Sequence, residues 1–345
     1  MIKKKLLTVL PLTENYSKYR AGAVSLFVKD INKYSAFSNF VIGSTSDRDI
    51  ISKNYKNIKV FRSLFALSKN INYAKQVLHY IRENNFDLIE VHNRPQIAKY
   101  LIKNDIKRVS LFFHNNPLKL RNSKTKIERK FLLDNCLKIY FNSKWTRSKF
   151  FEDFKNKSVK KTHVVYQGIN TKFKLGKKLN IIVFAGKLNK SKGFDVFCHS
   201  IPEVLNKFPK WKGVIIGDEP REKYSCHHKK LIYTGWLDHK KVINIFKKSS
   251  ILVVNSNWDE PFGRVAVEGA ATGNAIIMTK KGGLSETTKY KVFLKKNNKD
   301  FLVKELSKLI SNPDLLSQLQ KKTIKSFKHN SKEIIKKLDQ IRQSV

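Results

Sequence analysis

The chain has 345 residues, enough for two cores rather than one, and 41% of them are hydrophobic, the proportion of a folded globular protein. Its formal net charge is +43, yet only 12 of its 70 basic residues are arginines, and the absence of an arginine-rich reading module argues against a nucleic-acid reader. No apolar run approaches the roughly 20 residues of a membrane span, and Cys136, Cys198 and Cys226 lie far apart without metal-ligand spacing, which excludes a disulfide framework or zinc site and fits a reducing cytoplasm.

Taken in order, Met1 to Pro11 has an apolar stretch too short for a signal peptide and reads as a buried strand, Leu6 to Leu10. Ala21-Gly22-Ala23 then precedes an apolar helical pattern from Val24 to Ile31. Further strands are predicted at Asn39 to Gly43, Ile58 to Arg62, Leu88 to His92, Val109 to Phe113, Ile139 to Asn142 and Val164 to Tyr166. In the second half they fall at Ile181 to Ala185, Gly213 to Ile216, Leu231 to Tyr233, Ile251 to Asn255 and Ala275 to Thr279. Helical patterns lie between them, which predicts an α/β protein of two Rossmann-like doubly wound domains facing a central cleft. Asp47-Arg48-Asp49 has a D-x-D spacing used for divalent metals, but three residues make a weak motif and a surface loop is the preferred reading. Cys226-His227-His228 likewise reads as surface loop, because adjacent ligands rarely converge on one ion.

The richest segment is Asp259-Glu260-Pro261-Phe262-Gly263-Arg264-Val265-Ala266-Val267-Glu268, followed by Gly282-Gly283-Leu284-Ser285-Glu286. Pro261 fits a first helical turn, Ala266 to Ala271 continue it and Gly273 ends it. The two carboxylates, Glu260 and Glu268, are then separated by eight helical residues, roughly 12 Å at about 1.5 Å each. That is about the reach from the sugar of a nucleotide sugar to its ribose, with a helix N-terminus toward the diphosphate between them.

With its E-P-F-G context, second Glu and downstream Gly-Gly and Glu, this segment resembles the family 4 retaining glycosyltransferases of the GT-B architecture. The resemblance spans nearly the whole chain and is strongest from Ile181 to Glu286, while Phe113 to Phe151 looks like bacterial lipopolysaccharide and surface-polysaccharide enzymes. It implies that Glu260 holds the donor sugar or steadies its oxocarbenium-like transition state, and that Glu268 holds the ribose hydroxyls. Phe184 to Gly193 resembles the segment in which two cations grip the diphosphate, placing Lys187 and Lys192 there; Lys187 stands where the family has arginine, a point charge in place of a fork. By the same resemblance Gly282 and Gly283 let backbone amides approach the donor, Phe262-Gly263 marks the helix N-terminus, and Gly22 abuts the donor phosphate. Gly217 opens a loop that carries Glu219 where relatives have glycine, and Trp236 and Leu237 are candidates for touching the nucleotide base. His114, at the end of a strand, matches a histidine near the reacting sugar, while His92-Asn93-Arg94-Pro95 shapes the acceptor side.

The expected organisation is an amino-terminal acceptor domain over residues 1–170, a nucleotide-sugar-binding domain over 171–325, and a carboxyl-terminal helix over 326–345 packing back toward the first. The expected reaction moves a sugar from a nucleoside diphosphate sugar of UDP or GDP type to a hydroxyl of a glycan or lipid-linked acceptor, with retention. It needs no cofactor and no metal, since cationic side chains and a helix terminus take the metal's place. The alternatives are another GT-B activity, an epimerase or phosphorylase, or a non-catalytic basic protein that binds nucleic acid or membrane on this scaffold. The basic surface has two readings, lysine drift in composition or attraction to an anionic membrane. Ser143 to Lys155 and the basic residues 119, 121, 124, 126, 129 and 130 would serve the second, as a peripheral protein on the inner membrane face.

Overall fold

The computed structural model describes residues 3–60, 68–155, 157, 159–170, 173–222, 224 and 226–344. They form two compact units, one of residues 1–168 and 331–345, the other of residues 169–330. The divisions fall at 168/169 and 330/331.

In the first unit the strands are β1 (Lys5–Val9), β2 (Ser38–Gly43), β3 (Tyr55–Asn57), β4 (Leu88–His92), β5 (Val109–Phe113), β6 (Ile139–Phe141) and β7 (Thr162–Val164). They pair in the order β3-β2-β1-β4-β5-β6-β7, all parallel. The crossovers carry α1 (Ala23–Tyr34), α2 (Lys69–Glu83), α3 (Pro95–Lys103), α4 (Lys126–Asn135) and α5 (Lys144–Phe150). Strands covered on both faces read as near-continuous apolar runs, and β4 and β5 are buried at every position. The third strand is Tyr55–Asn57 rather than Ile58 to Arg62: pairing with Val41–Gly43 sets its register, and Ile58 follows it into the core. Residues 61 and 62 of that expectation lie outside the described residues. Pairing with Ile139–Phe141 likewise places the seventh strand two residues earlier than the sequence suggested.

The second unit has β8 (Leu179–Ala185), β9 (Lys212–Ile216), β10 (Leu231–Tyr233), β11 (Ser249–Val254), β12 (Ala275–Met278) and β13 (Val292–Phe293), in the order β10-β9-β8-β11-β12-β13. All pairs are again parallel. Its helices are α6 (Phe194–Lys207), α7 (His239–Lys248), α8 (Arg264–Ala271), α9 (Lys299–Ile310) and α10 (Pro313–Lys325). The two-residue β13 is too short to leave a periodic signal. Cys226 is not a surface residue: it is buried, and its Sγ lies 3.0 Å from the Tyr233 hydroxyl.

The last helix, α11 (Ser331–Gln343), belongs to the first unit. Ile335 and Leu338 join Phe27 and Ile31 of α1 in an apolar cluster. Beside it Arg342, buried, donates to Glu90 at 2.8 and 2.5 Å and to Asp339 at 2.8 Å. A guanidinium fork matched to two carboxylates satisfies charges that burial alone would make costly.

Candidate functional site

Ligands of parallel α/β sheets bind beyond the carboxyl ends of the strands, and in the second unit three neighbouring strands end in the residues singled out by the sequence. From β8 the chain turns at Lys190–Lys192, capped by Asn189, whose Oδ1 accepts from the Lys192 amide at 3.1 Å. From β11 it runs to Glu260, and the two loops are laced by the Asn257 and Trp258 amides, which donate to the Ser191 carbonyl at 2.9 and 3.2 Å. Lys192 Nζ thereby lies 5.3 Å above the Trp258 ring and donates to Glu260 Oε1 at 2.5 Å. Ser256 Oγ donates to the same oxygen at 2.7 Å, and Glu260 is only 7% exposed.

From β12 the chain reaches Gly282-Gly283. The Gly283 amide donates to the Glu260 carbonyl at 2.7 Å. Gly282 has φ +57°, and a Cβ there would stand 2.1 Å from the same carbonyl oxygen. Only glycine permits this approach. Lys192, Glu260, Gly282 and Gly283 are therefore brought together.

The helix after Glu260 begins later than the sequence suggested. Gly263, at φ +104°, is the N-cap and Arg264 the first helical residue, so Pro261 lies outside the helix. A Cβ on Gly263 would meet Leu284 Cδ2 at 2.4 Å. Four of the eight steps from Glu260 to Glu268 are thus helical, and a straight helical span of 12 Å between them does not apply. Phe262 is 1% exposed, packed edge to face on His329 at 5.5 Å, so its side chain is core and only its backbone borders the helix entrance.

Glu268 sits in a second charged group. Its Oε1 accepts from His239 Nε2 at 2.8 Å and from Arg264 Nε at 3.0 Å. Burial opposes its charge, but these two partners outweigh that and hold its carboxyl below the usual range. Lys187 is exposed, and among the described residues its ammonium forms no ion pair. Gly217, at φ +124°, donates from its amide to the Gly235 carbonyl at 2.9 Å. Glu219 beside it accepts from Arg221 at 2.6 and 2.7 Å, which holds its carboxyl at about 2. Trp236 is 54% exposed and Leu237 half-buried against the core.

The first unit's strand ends differ in kind. His114 is buried with both ring nitrogens engaged: Gln167 Nε2 donates to Nδ1 at 3.0 Å, and Nε2 meets His92 Nδ1 at 2.9 Å. Burial lowers its pKa to about 3, so the ring is neutral. With Nδ1 accepting, the proton sits on Nε2 and passes the bond to His92, whose own Nε2 is buried and has no partner among the described residues. Gly22 is the N-cap of α1, and the neighbouring Glu14 carboxylate accepts from the Ser25 amide at 2.9 Å; burial pushes Glu14 up. Asp47 accepts from Asn15 at 2.9 Å and Ser17 at 2.6 Å, bonds that lower its pKa. Among the described residues no group of three His, Cys, Asp or Glu could hold a metal ion, and no helix is long and apolar enough to cross a membrane.

Sequence reasoning missed His239, Ser256, Trp258 and Gln167. His239 is 29 positions from its partner, and nothing local announces the pair. It missed Arg264 as well, although the i,i+4 spacing to Glu268 was a local signal for that pair.

The pattern of the family described as "Glycosyl transferases group 1" matches residues 168–326. An uncharacterized glycosyltransferase of Methanocaldococcus jannaschii is 30% identical over 307 residues, covering 84% of this chain and 81% of that protein. The chain belongs to the group 1 glycosyl transferases. An uncharacterized 41.2 kDa protein in the cps region of Klebsiella pneumoniae is 33% identical to this glycosyltransferase over 110 residues, 32% of this chain and 30% of that one. The crystal structure of Anabaena HepE in complex with UDP and glucose superposes with a TM-score of 0.74 at 14% identity, over the whole of both chains, and shares the GT-B fold.

Proposed function

We propose that this glycosyltransferase moves a sugar, with retention, from a uridine or guanosine diphosphate sugar to a hydroxyl of a glycan or lipid-linked acceptor. The observation that carries this reading is the convergence of Lys192, Glu260 and Gly282-Gly283 from three adjacent strand ends. A buried carboxylate beside an ammonium suits charge developing at an anomeric carbon next to a leaving diphosphate. Lys187, Lys192 and the entrance of α8 at Gly263 would offset the diphosphate charge in place of a metal. Glu268 would hold the ribose, and Trp236 and Leu237 would flank the base. His114 would orient the sugar or acceptor as a neutral imidazole, exchanging one of its internal hydrogen bonds for a hydroxyl. The UDP and glucose named for HepE favour a uridine donor. The relative from the cps region of Klebsiella pneumoniae is in keeping with a role in surface polysaccharide or lipopolysaccharide synthesis.

A lipid-linked acceptor would bring the enzyme to the inner membrane face, with α4 supplying Lys126, Lys130 and the 82% exposed Ile127. Arg129 does not contribute: it is buried and bonded to Asp153 at 2.6 Å. Phe150 and Phe151 are core residues as well, so binding would be electrostatic and salt-sensitive.

A thermal-shift panel of uridine, guanosine and adenosine diphosphates tests the donor site. At about 100 times Kd a ligand adds roughly 2.7 kcal/mol of stability. One diphosphate is expected to stabilise the parent, and Glu268→Ala to bind it about 10-fold to 150-fold more weakly. No stabilisation by any of the three would overturn the reading.

A further inference from the structure

The turn that carries Lys192 is held by a network of asparagine amides. Its carbonyls are bonded to the loop after β11: that of Lys190 accepts from Asn257 Nδ2 at 2.7 Å, that of Ser191 from the Asn257 and Trp258 amides at 2.9 and 3.2 Å, and that of Gly193 from Asn255 Nδ2 at 2.9 Å. Gly193 has φ +76°, and a Cβ there would stand 2.0 Å from the Asn255 carbonyl oxygen, so the turn sits directly on that loop. Both asparagines converge on Asn297, just beyond β13. Its Nδ2 donates to the Asn255 carbonyl at 2.6 Å and to Asn257 Oδ1 at 2.7 Å, and its Oδ1 accepts from Asn255 Nδ2 at 3.1 Å. A side-chain amide supplies donor and acceptor together and adds no charge. A carboxylate at 297 would keep the bond from Asn255 Nδ2 but oppose two acceptor oxygens.

We propose that Asn297 is a positioning residue for the donor's diphosphate: by locking Asn255 and Asn257 it holds the turn Lys190–Lys192 on the loop that carries Glu260, and so sets where Lys192 meets the diphosphate. This rests on the reading of Lys192 as a ligand of that diphosphate. A lysine side chain is long and loses much rotamer freedom when it binds. With its backbone fixed by the asparagines, and its ammonium placed between Glu260 and the Trp258 ring, part of that loss is taken on folding rather than on binding. Asn297 acts through Lys192, so its contribution falls on the diphosphate and not on the nucleoside.

The test is calorimetric binding of uridine, guanosine and adenosine diphosphates, each set against its own nucleoside, so that the affinity ratio reads the diphosphate's share alone. For whichever diphosphate the parent prefers over its nucleoside, Asn297→Ala should lower that ratio by about threefold to tenfold while the nucleoside binds as before. Asn257→Ala, which cuts the link to Lys190 and keeps the backbone amide on Ser191, should do the same. In a Lys192→Ala background, adding Asn297→Ala should change the ratio by less than about twofold, because both act on one contact. A merely structural Asn297 would shift thermal unfolding and leave the ratio intact, which would overturn the proposal while the donor-site reading stands. A parent that binds none of the diphosphates better than its nucleoside would take both down. Should Asn297→Ala lack a cooperative thermal transition, the ratio in Asn257→Ala decides the matter.

Discussion

The strand ends of the two units solve the same problem in opposite ways. In the first, the buried histidines at the ends of β4 and β5 are bonded in one chain, His92 to His114 to Gln167, and the His114 imidazole is kept uncharged by burial. In the second, the ends of β8 and β11 carry opposite charges in contact, Lys192 with Glu260, and a carboxylate shared by His239 and Arg264 follows on α8. A neutral buried network fixes shape with little dependence on ligand. Paired buried charges are weak contributors to stability but respond strongly when one partner is altered or a new charge arrives. On the proposed function, charge stabilisation would fall to the second unit and shape to the first.

The largest expected effect comes from removing the charge at Glu260. Glu260→Gln should lower kcat by about 100-fold or more while nucleotide Kd changes by less than about threefold, because its contact is made as charge develops. Steady-state kinetics beside calorimetry separates the two, and an equal loss in both would return Glu260 to a structural role.

Next is the glycine that holds Glu260 in place. Gly282→Ala puts a methyl group on the Glu260 carbonyl at a positive φ. It should cost about 1–3 kcal/mol of stability and lower activity with it. Thermal unfolding that matches the parent would show that the loop relaxes freely and that the charged site is less fixed than described.

Acid sharpens the comparison further. His114 has its folded pKa at about 3, below the unfolded value near 6.5, so between those pH values the unfolded chain binds a proton that the folded one does not. Stability therefore falls as pH drops through that window, by about 2 kcal/mol at pH 5 from this residue. His92, also held well below the ordinary value by burial, acts in the same direction. Glu268, with a lowered carboxyl pKa, stabilises above the unfolded value of about 4.5 and loses that contribution only below it. The first unit should yield first on acidification. Denaturant unfolding of the parent and of His114→Gln at pH 7.5 and pH 5 checks this, and an equally steep loss in the variant would remove His114 from the account.

The smallest expected effect is that of a chelator. If Lys187, Lys192 and the entrance of α8 meet the diphosphate, EDTA should change the rate by less than about twofold. Full loss, restored by magnesium or manganese, would move attention to Asp47 and Asp49.

By itself the sequence determined the class of fold and singled out Lys192, Glu260, Gly282 and Gly283, which the structure brings together. Buried parallel strands read as largely apolar runs, so β4 and β5 were legible to the residue, as was the apolar but partly exposed β10, and the E-P-F-G segment drew attention to both carboxylates. Strand ends set by a neighbour's register were not legible, as at β3 and β7, because pairing is a long-range property that local pattern does not encode. The start of α8 was misread for a related reason. Pro261 obeys the local preference for a first turn, but the close approach of Leu284 and the left-handed Gly263 override it. Tertiary structure alone decided which charges meet: that Lys192 closes on Glu260 from 68 positions away, that His239 reaches Glu268 across 29, and that Arg129 and Phe262 face inward. Ion pairs and burial depend on distances through space, and a sequence records only distances along the chain.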